Sequence, residues 1–282
     1  NYYLQDNFMV LESLINPFTA EKRPWEMFFI GLLYNTIAIF LALWIFPSHA
    51  SLIMVFLTVL ACVPFIYATI KMEEEYDLKV NKEMLLMKEH SRVLLCFMFL
   101  FLGIVASVSM WYVVLPNSIQ GTLFSVQSNT IQTINQQVTG NVITTSNIFF
   151  KIFINNFKVL LFCLLFSFFY GSGAIFILTW NASVIGVAIG NFISSNISQF
   201  STYFTVVPLA LMRYMTHGLF EIVAYFAAGL AGGIISIAVI RHDFGTQRFS
   251  HVLLDSMDLI IISLILLLFA ATIEVFVTPI LF

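Results

Sequence analysis

The chain has 282 residues, of which 60% are hydrophobic and 10% are charged, and its net charge is −3. Soluble domains carry about 25% charged residues, so a chain this apolar requires lipid as its solvent. The small net charge gives no basic surface for nucleic acid, and no nucleic-acid partner is expected. Cys62, Cys96 and Cys163 lie far apart within apolar runs, without a metal-ligand spacing, so we expect neither a metal site nor a cofactor.

The N-terminal part begins with a segment that is too short and too polar to span a bilayer. Residues 7–16 are expected to form an interfacial helix that ends at Pro17. Two apolar runs follow, at 26–46 and 51–70, joined by a tight turn. Each covers roughly 20 residues, which matches a hydrocarbon core about 30 Å thick.

Residues 71–92 differ sharply from the runs on either side because they are rich in both acidic and basic residues. Apolar side chains recur in this segment at spacings of three and four, as in an amphipathic helix: Met72, Tyr76, Val80, Met84 and Met87. The pattern predicts a charged helical hairpin outside the membrane.

A third span is predicted at 93–115, ending at Pro116. The next stretch, 116–147, has no charged residue and consists largely of Ser, Thr, Asn and Gln. It is too polar for lipid and shows no clear period, so it is interpreted as an extracytoplasmic loop.

The middle of the chain contains a strong and a weak apolar segment. Residues 148–158 are expected to form a helix on the membrane surface, leading into a span at 159–180 that contains Gly171 and Gly173. The segment at 181–198 is less apolar, and it is the weakest of the predicted spans.

The last part of the chain contains two strong spans. A short segment at 203–215 contains Pro208, and a span follows at 217–240. A polar loop is predicted at 241–251, and the last span at 257–279.

The distribution of Lys and Arg predicts the orientation, because cytoplasmic loops carry the excess. A cytoplasmic N-terminus leaves nine basic residues inside: Lys22, Arg23, Lys71, Lys79, Lys82, Lys88, Arg92, Arg241 and Arg248. Three lie on the far side: Lys151, Lys158 and Arg213. This arrangement requires 181–198 to cross and 203–215 not to cross. We therefore predict an all-α polytopic bundle with about seven spans in the cell membrane and an extracytoplasmic C-terminus.

Three ionisable residues fall within predicted spans: His217, Glu221 and Glu274. His217 and Glu221 are four apart and share a helix face. Because a charged side chain at mid-bilayer costs about 2.5–3.5 kcal/mol, we expect the three to converge on one polar cluster, with His217 bonded to Glu221. The cluster either joins helices by buried hydrogen bonds or handles protons, ions or a ligand. No Ser or Cys stands at a motif spacing from a base, so we expect no catalytic residues and no enzyme activity.

Glycines mark the predicted helix contacts. Gly186 with Gly190, and Gly229 with Gly233, form two GxxxG patterns, and Gly232 adds a second small position beside the latter. Small residues let two backbones approach closely, which drives helix association in lipid. The patterns fit packing within the chain or a self-association face, and the latter would make a homo-oligomer.

The second half of the chain resembles the stage II sporulation protein M family over residues 93–282. The matching residues are Asn156, Gly171 to Gly173, Thr179 to Asn181, Gly186, His217 to Glu221, Ala228 with Gly229, Ala231 with Gly232, and Glu274 to Pro279. The resemblance implies a membrane bundle, polar positions at span ends (Asn156 and Asn181) and helix-packing glycines that include Gly171 and Gly173. It also implies a non-enzymatic role, because the sporulation protein is associated with cell-wall hydrolases and anchors them.

Two regions are therefore expected. Residues 1–92 form an N-terminal part with two spans and the charged hairpin, and 93–282 form the family-like transmembrane domain. We predict a scaffold that positions partner proteins, which would bind at 71–92 inside and at 116–147 outside. The alternative is a transporter or channel with a polar site around His217, Glu221 and Glu274, since discontinuous helices near ionisable groups build sites in many carriers.

Overall fold

The computed structural model describes residues 17–77, 83–139, 145–200, 202–240 and 246–281. The apolar runs form helices there, because a helix satisfies every backbone polar group within its own segment. The helices are α1 Pro17–Lys22, α2 Glu26–Ile45, α3 Ala50–Asp77, α4 Glu83–Val114, α5 Asn117–Leu123, α6 Ser125–Thr139, α7 Thr145–Tyr170, α8 Ala174–Phe200, α9 Tyr203–Ile240, α10 Gln247–Thr272 and α11 Thr278–Leu281. A 3₁₀ turn, Pro47–His49, joins α2 to α3, and a π turn, Ile273–Val277, joins α10 to α11.

Seven helical segments in the described part are long and apolar enough to cross a bilayer. They are Glu26–Ile45, Pro47–Glu73, His90–Val114, Asn147–Tyr170, Ala174–Ile197, Tyr203–Ile240 and Phe249–Leu281. This confirms the predicted all-α bundle with about seven spans. The predicted interfacial helix at 7–16 lies outside the described residues.

Helix α9 forms the centre of the bundle and packs against α7, α8 and α10, and also against α3 and α4. Its half from Ala224 to Ala238 is almost entirely buried and is rich in Ala and Gly. Small side chains allow several helices to approach the same segment, which makes it the core of the structure.

The two N-terminal spans, α2 and α3, pack onto α4. A Cβ added at Gly31 or at Gly103 would collide with backbone atoms of the facing helix, so α2 and α4 touch through their backbones. Beside this contact, Asn35 Nδ2 donates to Ser107 Oγ at 3.0 Å, and Thr58 Oγ1 donates to Asn35 Oδ1 at 3.1 Å. These buried bonds join all three helices.

The prediction of a span at 159–180 and a separate segment at 181–198 was wrong in its boundaries. The surface helix predicted at 148–158 is the first part of α7, which runs without a break to Tyr170. Gly171 then adopts φ +69°, a left-handed conformation that glycine accepts readily and that ends helices. The chain turns at 171–173 and continues as α8, which is long and apolar enough to cross, as predicted for 181–198.

The predicted division between 203–215 and 217–240 is absent, because α9 is one helix of 38 residues. Pro208 lies in its second turn, where the missing N–H removes only a hydrogen bond to the first turn. At 1.5 Å per residue, α9 is about 57 Å long, well over the thickness of a hydrocarbon core. The segment at 203–215 therefore extends the span rather than lying apart from it.

The prediction of a loop at 116–147 was also wrong, because α5 and α6 occupy most of it. Leu123 and Phe124 are fully buried, and so is the polar Gln127. Gln127 Oε1 accepts from Ser51 Oγ on α3 at 2.6 Å, and its Nε2 donates to Ser183 Oγ on α8 at 3.2 Å. The buried side chains of Leu123 and Phe124 and the amide of Gln127 thus hold α5 and α6 against the bundle. The polar composition of 116–147 does not indicate this docking.

The arms of the charged segment at 71–92, predicted as a hairpin, are helical and continuous with α3 and α4. The residues between the arms, 78–82, lie outside the described part. Two of its ionisable groups are buried rather than solvated: His90 Nδ1 lies 2.5 Å from Glu73 Oε2, and both side chains are 5% exposed or less. Their contact joins the ends of the two helices.

Candidate functional site: a polar cluster between three helices

Helices α7, α9 and α10 meet at a junction that contains the ionisable residues predicted from the sequence. Asn156 comes from α7, His217 and Glu221 come from α9, and Glu274 follows α10 in the π turn. All four are partly buried. The junction therefore brings side chains from distant parts of the chain into one polar cluster.

Glu221 is the centre of this cluster. Its Oε1 accepts a hydrogen bond from Asn156 Nδ2 across the α7–α9 contact. Its carboxyl group also forms a hydrogen bond with that of Glu274.

The π turn explains how Glu274 and the residues after it reach α9. The π turn Ile273–Val277 lies just before Pro279, which has no N–H to donate to the preceding turn. The backbone N–H of Thr278 bonds to the carbonyl of Ile273, five residues back, and its hydroxyl lies 3.3 Å from the same oxygen. The Thr278 hydroxyl also lies 3.3 Å from His217 Nδ1.

The predicted hydrogen bond between His217 and Glu221 is absent from the described structure. His217 instead bonds to Thr278, and Glu221 bonds to Asn156 and Glu274. The reason is that neighbouring helices offer each side chain a better-placed partner than the one a helical turn away. The polar cluster therefore has two parts. Glu221 contacts Asn156 and Glu274, His217 contacts Thr278, and the segment from Glu274 to Thr278 joins the two parts.

The level of the polar cluster can be measured along α9. Along α9, Glu221 is about 28 Å from the C-terminal residue Ile240, taking 1.5 Å per residue. That distance is close to the thickness of a hydrocarbon core. The part of α9 beyond Glu221 is thus long enough to cross a hydrocarbon core by itself.

The chemistry available to the cluster is hydrogen bonding. It contains no serine or cysteine nucleophile, and no group of three His, Cys, Asp or Glu side chains in the described residues has metal-binding geometry. Asn181, the other predicted polar span-end residue, lies elsewhere on α8, and its buried Nδ2 has no hydrogen-bond partner in the described structure.

Most of the predicted packing glycines face another helix of the same chain. A Cβ at Gly186 would lie 2.7 Å from Val108 Cβ, and one at Gly190 would lie 2.7 Å from Tyr112 Cβ. On α9, a Cβ at Gly229 would lie 2.8 Å from Ala174 Cβ, one at Gly232 would meet the Leu164 carbonyl oxygen, and one at Gly233 would lie 2.9 Å from the Gly171 carbonyl oxygen. Gly171 and Gly173 belong to the turn after α7 instead. The glycine patterns therefore serve packing within the chain.

Sequence reasoning missed three sets of polar or small residues: the Gly31–Gly103 contact, the Asn35–Ser107–Thr58 bonds and Gln127. The sequence marks the first two sets only as small or polar residues inside apolar runs, as at Asn35. It marks Gln127 only as one polar residue within a polar segment. Neither pattern identifies a partner.

Seven helices in the described part that are long and apolar enough to cross a bilayer, with a partly buried polar cluster between them, define an integral, multi-pass membrane protein. The chain belongs to the family described as Stage II sporulation protein M, whose model matches residues 93–279. The matched region begins in α4 and includes the polar cluster and the glycines of α8 and α9. Comparisons with curated proteins and with solved structures give no match.

Proposed function

We propose that this protein is a non-enzymatic membrane scaffold that positions partner proteins at the cell membrane, in the manner that its family suggests for envelope remodelling. The observation that carries the proposal is close packing inside the bundle. Seven glycines of α2, α4, α8 and α9 lie against the facing helices without room for a Cβ: Gly31, Gly103, Gly186, Gly190, Gly229, Gly232 and Gly233. A transporter or channel needs a path for its substrate, and such contacts oppose one.

A cavity between α3, α4, α8 and α9 in the described part of the chain is consistent with this proposal. It has a volume of about 10 Å³ and is lined mostly by apolar side chains, among them Ile66, Phe97 and Phe226. A cavity of this size holds one water molecule at most. His217, Glu221 and Glu274 do not line it.

Two surfaces suit the binding of partners. On one side, α5 and α6 expose uncharged polar residues, including Asn129, Gln132 and Thr133, while Gln127 holds the pair against the bundle. On the other side, the charged ends of α3 and α4 are joined by the buried contact between Glu73 and His90. A partner would therefore meet preformed surfaces, which lowers the entropic cost of binding.

The proposal includes an orientation. With the N-terminus in the cytoplasm, the ends of α3 and α4 face the cytoplasm, α5 and α6 face the outside, and the C-terminus is outside. The excess of Lys and Arg on the cytoplasmic side supports this arrangement. We also propose that residues 1–92, which precede the family domain at 93–282, contribute to the binding of a partner that is particular to this chain.

Site-specific photo-crosslinking in cells tests the scaffold. A photoreactive amino acid at Gln132 on α6, or at Ser91 on α4, should give a protein adduct of defined mass. The matched control is Leu254 on α10, an apolar side chain that is 60% exposed and should give only lipid adducts. The proposal fails if neither surface position yields a protein adduct above this control.

Reconstitution tests the packing argument separately. Vesicles containing the purified protein should be no more permeable to protons or sodium ions than empty vesicles. A flux that requires the protein and is lost in Glu221→Gln would overturn the scaffold in favour of transport.

A further inference from the structure

Helix α7 has two unlike faces. One face carries Asn156, Leu160 and Cys163 toward the bundle. The other exposes Lys151, Asn155 and Lys158, which recur at spacings of four and three and therefore lie in line along the helix. Two lysines and an amide thus form a polar row on the outside of a membrane-crossing helix.

Aromatic side chains continue this row toward the C-terminal end of α7. Phe162, Phe166 and Phe169 follow Lys158 at spacings of four, four and three, and they are 54%, 39% and 69% exposed. The exposed face is therefore polar and basic over its first half and apolar over its second. The same order, a charged head followed by hydrocarbon, describes a phospholipid.

A bilayer placed with one boundary at Ile240, the end of α9, has its other boundary near Lys158. The carbonyl oxygen of Gly171, just after α7, lies against Gly233 of α9. From Gly233, α9 continues about 10 Å to Ile240, and from Tyr170 back to Lys158 is about 18 Å at 1.5 Å per residue. The distance from Lys158 to Ile240 is thus nearly the thickness of a hydrocarbon core, about 30 Å. With one layer of headgroups at Ile240, the opposite layer lies near Lys158.

We propose that this face of α7 binds an anionic phospholipid, with its phosphate at Lys158, Asn155 and Lys151 and an acyl chain over Phe162, Phe166 and Phe169. The charges are complementary, because ammonium groups attract the phosphate and any further anionic headgroup charge. A second copy of the chain does not suit this face, since two-fold pairing would place lysines against lysines.

Native mass spectrometry after reconstitution tests the lipid site. The protein is placed in vesicles with equal amounts of phosphatidylglycerol and phosphatidylcholine and extracted in mild detergent, and the bound lipids are counted. Each lysine near the surface should contribute a factor of about five to the preference for anionic lipid. The double variant K151Q/K158Q should lose at least one bound phosphatidylglycerol per protein, and K158R should retain the wild-type ratio.

Two controls make the result decisive. Lys71→Gln removes an exposed lysine of α3, away from the phenylalanines of α7, and should keep the bound phosphatidylglycerol that K151Q/K158Q loses. Sodium phosphate should not displace the lipid, because a free anion cannot use the phenylalanine half of the face. The proposal is overturned if the bound lipids have the same ratio of phosphatidylglycerol to phosphatidylcholine as the vesicle. It is also overturned if K151Q/K158Q binds as much phosphatidylglycerol as the wild type. A protein adduct from a photo-crosslinker at Phe162 in cells would overturn it as well, in favour of a partner helix.

Discussion

Single polar side chains have clear structural roles in this bundle because lipid offers them no alternative partners. Glu221 bonds to Asn156 on α7 and to Glu274 beyond α10, so it connects three helices. Asn35 and Gln127 do the same elsewhere, each joining two other helices. At the residue scale, an internal polar group is best understood as a joint between helices.

The role of Glu221 leads to a prediction about two substitutions. Glu221→Gln should change the free energy of unfolding little, because the glutamine carbonyl still accepts from Asn156 and its amide donates to Glu274. Glu221→Leu should destabilise the protein by about 1–3 kcal/mol, since it leaves the Asn156 amide and the Glu274 carboxyl unpaired. Thermal unfolding in detergent measures both.

A double-substitution cycle provides the control for Glu221. If Asn156 and Glu221 act through their mutual bond, Asn156→Leu with Glu221→Leu should cost less than the sum of the single changes. Equal unfolding temperatures for Glu221→Gln and Glu221→Leu would contradict the structural role of the carboxyl group.

Whole helices are positioned by two devices, close glycine contacts and buried side-chain bonds. The glycines on α9 bring it against α3, α7 and α8, while Gln127 fixes the polar pair α5–α6 to α3 and α8. The first device acts inside the bundle and the second at its edge. Each can be removed by one substitution.

Gly232→Ala should destabilise the bundle, because the added Cβ would collide with the carbonyl oxygen of Leu164, a backbone atom that cannot rotate away. Overpacking of this kind costs about 1–3 kcal/mol. The matched control is Gly218→Ala on the same helix, where a Cβ would meet nothing within 4 Å. Unfolding temperatures of the two variants in detergent should differ by several degrees, and equal values would show that α7 and α9 do not touch there.

Gln127→Ala should release α5 and α6 from the bundle while leaving the spans folded. Its Oε1 and Nε2 both bond to other helices, and the smaller side chain leaves Ser51 and Ser183 without those partners. Hydrogen exchange should rise at residues 117–133 and stay unchanged in α9. Thr133→Ala, at an exposed position on α6, serves as the control, and an equal rise there would argue against anchoring by Gln127.

The molecule as a whole is a bundle in which the family domain and the N-terminal spans share one core. Helix α4 packs against both parts, since it contacts α2 at Gly103 and α8 near Val108. Seven candidate spans among the described residues fit the proposed topology, in which the two termini lie on opposite sides of the membrane. The excess of basic residues supports a cytoplasmic N-terminus in that proposal.

Single-cysteine labelling tests this orientation in intact cells. With Cys62, Cys96 and Cys163 replaced by alanine, a cysteine at Thr133 on α6 should react with an impermeant maleimide without permeabilisation. A cysteine at Ser91 on α4 should react only after permeabilisation. The reverse pattern would place the N-terminus outside and refute the proposed topology.

Residence in lipid, the number of spans and the family are properties that the sequence determines by itself. Hydropathy is a sum over contiguous residues, so an apolar run such as 93–115 is recognised from the sequence alone. A family motif such as His217 to Glu221 is likewise a local pattern and does not depend on the tertiary structure. The continuation of α9 through Pro208, the docking of α5 and α6, and the partners of His217 and Glu221 were decided only by the tertiary structure. The reason is that a hydrogen bond or a glycine contact depends on which helices are neighbours, and residues such as Asn156 and Glu221 are distant along the chain.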